Sequence, residues 1–266
     1  VERWRSNCGC HTGGQAGWHQ LWREPLRTAL DKLRAVFDEA FVNHASAIFS
    51  DPWAVRDAFG QILPRRQDPT VVADFFSRQA GRPLNSQEQT RALVLLEMQR
   101  QGMLMYASCG WFFNDVSGIE TAQVLKYAAH GIDLLTSLGH GDPTDRFMRD
   151  LLQAPSNVPE IGTAARVYQT QVLPTRIGPE KVAASYALHS VVAPQPLKAH
   201  LHAHWVEQLE SHSRQIGEYR LVCGYLNLVS DFTQMERRWV YSALYLGGYN
   251  VQAAVVRCSD PDLCAA

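Results

Sequence analysis

Long runs of one kind are missing from this 266-residue chain. No apolar stretch reaches the roughly 18–20 residues that span a bilayer, and no charged-then-apolar leader opens it. No basic run is longer than Arg65-Arg66 or Arg237-Arg238, and the formal net charge is −1. A nucleic-acid partner therefore has little electrostatic support. G-x-S-x-G, the phosphate-cradling P-loop and G-x-G-x-x-G before a helix are all absent. There is no internal repeat and no low-complexity linker. Six cysteines, scattered apart from Cys8 and Cys10, do not make the disulfide framework of a small secreted domain; most read as reduced core thiols. The expectation is a soluble, cytoplasmic protein with no membrane or nucleic-acid partner.

What is present is apolar content and helical periodicity. Apolar residues make up 46% of the chain, enough for a sizeable core. Residues 1–17 are Gly-rich and irregular. Leu21, Leu26, Leu30, Leu33, Phe37 and Phe41 then recur at mostly three- and four-residue steps and predict a helix over 18–49. Asp51-Pro52 and Asp68-Pro69 are cap-then-proline signals for helices near 51–62 and 68–80. Asn85 or Ser86, answered by Glu88 or Gln89, caps a long helix over 86–109. That helix is apolar nearly all round and so central, which leaves Glu97 and Arg100, three apart, to pair with each other. Further helices are expected from Ser117 to Leu138 and over 142–154, 160–172 and 178–192.

Near residue 214 the period changes. The stretches 218–232 and 237–247 alternate and are rich in Tyr, Val, Leu and Trp, and 247–258 follows a Gly-Gly turn signal; three antiparallel strands are expected. The fold class is mainly α, a bundle of about six to eight helices with a small C-terminal antiparallel β-sheet. A helical domain over 1–212 is followed by a β-region over 213–266. Three open-edged strands stand poorly alone, so they pack on the helices or belong to a sheet that continues. The chain starts at Val1 and ends on CSDPDLCAA; we expect a piece of a longer polypeptide whose other parts hold the chemistry.

Three stretches invite a chemical reading. Cys8-Gly9-Cys10-His11 can offer two thiolates and an imidazole to zinc. It lacks an evident fourth ligand, so two buried thiols or a redox pair are the alternatives. His200, His202 and His204 could line a strand face, or His200 and His204 a helix face; no Glu lies between them as a metalloprotease helix requires. Trp111-Phe112-Phe113 runs straight into Asn114-Asp115. The three aromatics can plug the end of the core. Trp111, with Gly110 before it and an amide and a carboxylate after it, can instead stack on a sugar ring whose hydroxyls bond the polar rim. No paired-carboxylate constellation stands out.

The stretches RWRSNCGCHTGGQAGWHQLWREPLR and LLEMQRQGMLMYASCGWFFNDVSGIETAQVLKYAAHGIDLL, with LYLGGYNV near the end, closely resemble the bacterial and archaeal domain of unknown function 3536. The resemblance covers nearly the whole chain. It implies a helical region following a catalytic barrel of glycoside hydrolase family 57, with that barrel of the same polypeptide and an α-glucan as partners. Family-57 glucan-branching enzymes carry a similar motif where SCGWFF stands here. By that similarity Trp111 is the leading substrate contact, with Phe112, Asn114 and Asp115 beside it and Trp18 and Trp22 near the cleft. Those enzymes have an Asp where Gly110 stands, and Asp115 is the candidate replacement. No stretch resembles the barrel's catalytic strands, so the resemblance implies a cleft wall of a hydrolase or glucanotransferase with no catalytic carboxylate. A structural or assembly module is the competing reading.

Overall fold

The computed structural model describes residues 2–10 and 15–258. The chain divides into two compact units, Val1–Arg176 and Ile177–Ala266.

In the first unit, α1 (Arg23–Ala45), α2 (Pro52–Ala58), α3 (Pro69–Ala80), α4 (Ser86–Leu104), α5 (Cys109–Phe112), α6 (Ile119–Ser137), α7 (Thr144–Leu151) and α8 (Ala164–Val167) follow one another. Their starts obey local chemistry. Asp51 and Asp68 accept backbone N–H groups ahead of Pro52 and Pro69. Asn85 and Glu88 exchange the two bonds of a capping box. The core runs along α4, where Ala92 to Met98 are all buried. Each buried Leu or Val there contributes about 1.5–3 kcal/mol.

Glu97 lies inside that apolar helix at 1% exposure. Its carboxylate accepts from Arg100 (2.9 Å), as the three-residue spacing predicts, and also from Arg66 (3.0 Å) and Gln101 (2.6 Å). Gly131 of α6 meets the Phe37 ring of α1 so closely that an added Cβ would sit 2.5 Å from it. The helix expected over 18–49 starts only at Arg23, and the one expected over 86–109 breaks after Leu104 and resumes as α5.

The second unit is α9 (Pro179–Val192) on a five-stranded antiparallel sheet. Its strands, in spatial as well as chain order, are β1 (Lys198–Leu201), β2 (His204–Ile216), β3 (Tyr219–Ser230), β4 (Glu236–Tyr245) and β5 (Val251–Arg257). Val182, Tyr186 and Val191 of α9 share one core with Val206, Leu226, Trp239 and Tyr241. Tyr186 stacks edge-on with Tyr241 at 5.8 Å and donates its hydroxyl to Gln208 at 2.8 Å.

Mainly α with a C-terminal antiparallel sheet is therefore the architecture, with two corrections. Strands β1 and β2 add to the three expected, and the division falls at 176/177 rather than 212/213 because α9 and the first hairpin share the sheet's core. Among the described residues no helix is long and apolar enough to cross a membrane.

Candidate functional site

The turn after α4 is where the first unit concentrates polar side chains in buried positions. Backbone bonds from Tyr106 to Met103 and from Ala107 to Leu104 close the end of α4. The four-residue α5 then lies against α6. Gly110 makes that approach possible, because a Cβ there would sit 2.3 Å from Val124 Cγ2. Thr121 of α6 donates to the Gly110 carbonyl at 2.8 Å. A side chain at 110 has no room, so Gly110 is a packing residue here.

Trp111 points inward. It is 0% exposed, as is Trp22, and the two indoles stack with centroids 6.2 Å apart and planes 17° from parallel. Among the described residues, neither indole Nε1 has a hydrogen-bond partner. The Arg27 guanidinium lies 5.8 Å from the Trp111 ring and 4.2 Å from the Tyr106 ring. Tyr106 donates to Asp31 at 2.6 Å, and burial followed by that hydrogen bond holds its phenol well above the usual range. Trp111 and Trp22 are thus corrected from substrate contacts to core plates: a ligand cannot reach a ring that this chain encloses.

Phe112 and Phe113 point the other way. They are 40% and 41% exposed and pack edge to face at 5.5 Å. The Arg3 guanidinium sits 5.3 Å over the Phe112 ring. Asn114 and Trp18 are half-buried. The backbone beneath them is held by distant residues. Asn157 donates to the carbonyls of Asn114 (2.9 Å) and His19 (2.8 Å) and accepts from the His19 N–H (3.0 Å). That one amide ties the 15–22 segment to the turn. Gln20, 2% exposed, donates to Asn114 Oδ1 at 3.3 Å.

Asp115 is 6% exposed. Its oxygens accept from Ser117 N, Ser156 Oγ and Asn157 N. All three donors are neutral, and the carboxylate holds the loop, a buried charge solvated by the chain itself. Its part is to position the turn.

Arg23 closes the site from the other side. It is 1% exposed, and Nη2 donates to the Phe112 carbonyl at 3.4 Å. Burial, then the Arg3 charge, push its pKa down.

The remaining expected ligands do not converge. Cys8 and Cys10 are joined in a disulfide, with Cα atoms 5.4 Å apart; His11 lies outside the described residues. Cys109 and Cys223 are free thiols, but Cys109 is exposed and Cys223 half-buried, which corrects their expected place in the core. The histidine stretch forms the β1–β2 hairpin. His200 pairs across it with Trp205, and Leu201 with His204, so His200 and His204 stand on opposite faces of the sheet. His200 binds Asp231 at 2.6 Å instead. Among the described residues no group of three or more His, Cys, Asp or Glu side chains could hold a metal.

Asn157 and Ser156 lie in no motif, and Gln20 and Arg23 sit in the N-terminal family stretch with nothing there to mark their role. Asn157 lies 138 residues from its partner His19, and its place between Pro155 and Pro159 marks a loop but not what the loop holds.

A family model described as Domain of unknown function (DUF3536) matches residues 18–266. No curated protein and no solved structure matches the chain.

Proposed function

This chain belongs to the DUF3536 family, and we propose that it is a non-catalytic accessory domain of a glycoside hydrolase family 57-like, α-glucan-acting enzyme. The observation that supports the reading is the Phe112–Phe113 pair, each residue about 40% exposed above a turn fixed from beneath. A sugar presents a C–H face that stacks on such rings and hydroxyls that bond a neighbouring amide, here Asn114. Trp18, half-buried beside the same segment, extends the aromatic surface. Trp111, Trp22 and Asp115 act through the backbone, as positioning residues. The Asp115 carboxylate is engaged by three hydrogen bonds, and the two carboxylates of glycoside cleavage would come from the barrel of the same polypeptide. Such a domain shapes the cleft and excludes water from it.

The test is kinetic. In the full-length polypeptide, Phe112→Ala combined with Phe113→Ala should raise KM for a long α-glucan about tenfold, the loss of about 1.4 kcal/mol of stacking. The fold, checked by circular dichroism, stays intact. Unchanged KM and kcat on every α-glucan tried would overturn the reading.

The complete burial of Trp111 and Trp22 favours a second role, a structural or assembly module whose exposed phenylalanines dock on a neighbouring domain. The same double variant would then lower the thermal stability of the full-length protein without moving KM.

A further inference from the structure

Among the described residues Arg23 is a buried cation without a buried anion. Its Nη1 lies 3.7 Å from Cys8 Sγ and 3.7 Å from Cys10 Sγ, its Nη2 reaches the Phe112 carbonyl, and its Nε has no partner among the described residues. Among the described residues no carboxylate acts on it; the charged group that does is Arg3, a second cation. A guanidinium stays protonated in proteins, and a buried charge lacking a counter-ion is costly. Besides the Trp22 ring, 5.5 Å from its Cζ, the pair of sulfurs is what this guanidinium faces. A disulfide is neutral and a weak acceptor, whereas a thiolate is an anion. The surroundings of Cys8 and Cys10 are therefore matched to the charge of their reduced form. Both are reachable, Cys8 being exposed and Cys10 half-buried. Gly9, with φ at +71°, supplies the left-handed turn between them.

We propose that Cys8 and Cys10 form a thiol–disulfide exchange centre in which Arg23 is the counter-ion of the thiolate. The co-reactant is a thiol of the glutathione class. One such thiolate attacks a sulfur of the Cys8–Cys10 bond, that bond breaks, and its electron pair leaves on the other sulfur as a thiolate facing Nη1 of Arg23. A second external thiolate attacks the mixed disulfide. It releases the remaining cysteine and departs as the external disulfide. Two external thiols are oxidised and two protein sulfurs reduced; protons from solvent neutralise whichever thiolate does not stay charged. Oxidation runs the same steps backwards. The guanidinium that senses this charge also holds the Phe112 carbonyl, so the redox state is registered at the exposed aromatic turn.

The experiment equilibrates the protein in buffers of reduced and oxidised glutathione. Free thiols are trapped by alkylation before and after reduction, and each cysteine is read by mass spectrometry. Cys8 and Cys10 should convert together and reversibly across the glutathione range, with Cys109 and Cys223 alkylated throughout. In the reduced protein the thiolate absorbance should titrate at least one pH unit below the ordinary cysteine value of about 8.5. Arg23→Gln should return the midpoint towards that value, and Arg23→Lys, which keeps the charge, should retain most of the shift. Three results overturn the proposal: a pair that stays oxidised in every buffer, a wild-type midpoint near 8.5, or a reduced protein holding one equivalent of zinc that shields both thiols. The wild-type titration and exchange stand even if neither variant folds.

Discussion

Replacing Gly110 with alanine puts the packing of α5 on α6 to a quantitative test. The new Cβ would lie 2.3 Å from Val124 Cγ2, 3.3 Å from Val124 Cβ and 3.4 Å from the Glu120 carbonyl oxygen. The first distance is far inside van der Waals contact, and Val124 is 1% exposed with nowhere to turn. Overpacking of this kind costs about 1–3 kcal/mol. Val124→Ala removes the colliding methyl and leaves a small cavity, at a cost of about 1–2 kcal/mol by its own. The double variant should recover at least 1 kcal/mol relative to the sum of the two, the coupling expected of residues in direct contact. Because the chain has two compact units, the readout should be local. Amide hydrogen exchange in peptides covering 119–137 gives the opening free energy of α6. Strict additivity of the two substitutions would refute the packing argument, and with it the reason Gly110 is the residue there.

Asp115→Ala leaves the half-buried N–H groups of Ser117 and Asn157 and the Ser156 hydroxyl without their acceptor. A loss of about 2–4 kcal/mol of local stability, read by exchange in peptides spanning 113–118 and 155–158, is expected, and a loss below 1 kcal/mol would contradict it. Stability should also depend on pH. Burial, with Arg91 and then His140 as lesser causes, lowers the pKa of His44, and burial lowers that of His130. The unfolded chain then binds more protons below about pH 6.5 than the folded one. The contribution of these histidines is complete above that pH and is lost as pH falls through it, so urea midpoints should drop between pH 7 and 5. Glu88, held at about 2 chiefly by Arg82, acts in the same direction only below about pH 4.5, so a midpoint flat from pH 7 to 5 would refute the histidine assignment.

Features stored in short-range chemistry were legible in the sequence. The capping box of Asn85 and Glu88, the proline starts of α2 and α3, and the Glu97–Arg100 pair each involve residues three or fewer apart. Strands β3 and β4 show the apolar alternation that marks one buried face. Strand β2 does not: beyond Gln208 it is mostly exposed and polar, so nothing in its composition announces a strand. Its place comes from pairing with β3. The unit boundary escaped for a related reason, since α9 reads as one more apolar helix whichever core it serves. An aromatic run likewise carries no sign of direction. Trp111 faces in and Phe112 out because Gly110 seats α5 on α6 and Trp22 waits beneath, and both facts belong to residues elsewhere in the chain.

The exposure of Phe112 and Phe113 is imposed by the backbone around them. A mobile loop would bury two such rings, since each gains about 1.5–3 kcal/mol by leaving water. Here every route inward is closed. The Phe112 carbonyl is held by Arg23, the Asn114 carbonyl by Asn157, and the Gly110 carbonyl by Thr121. Asp115 fixes the residues that follow through Ser117, Ser156 and Asn157. The space beneath is already filled by the Trp111–Trp22 stack. A surface whose apolar rings are held out by four separate anchors has little ordering left to undergo when something binds, and preorganisation of that kind is where binding affinity is gained. The anchors therefore weigh on the side of recognition. Their removal one at a time, Asn157→Ala first, should loosen the turn and weaken glucan binding or domain docking together, with both phenylalanines still in place.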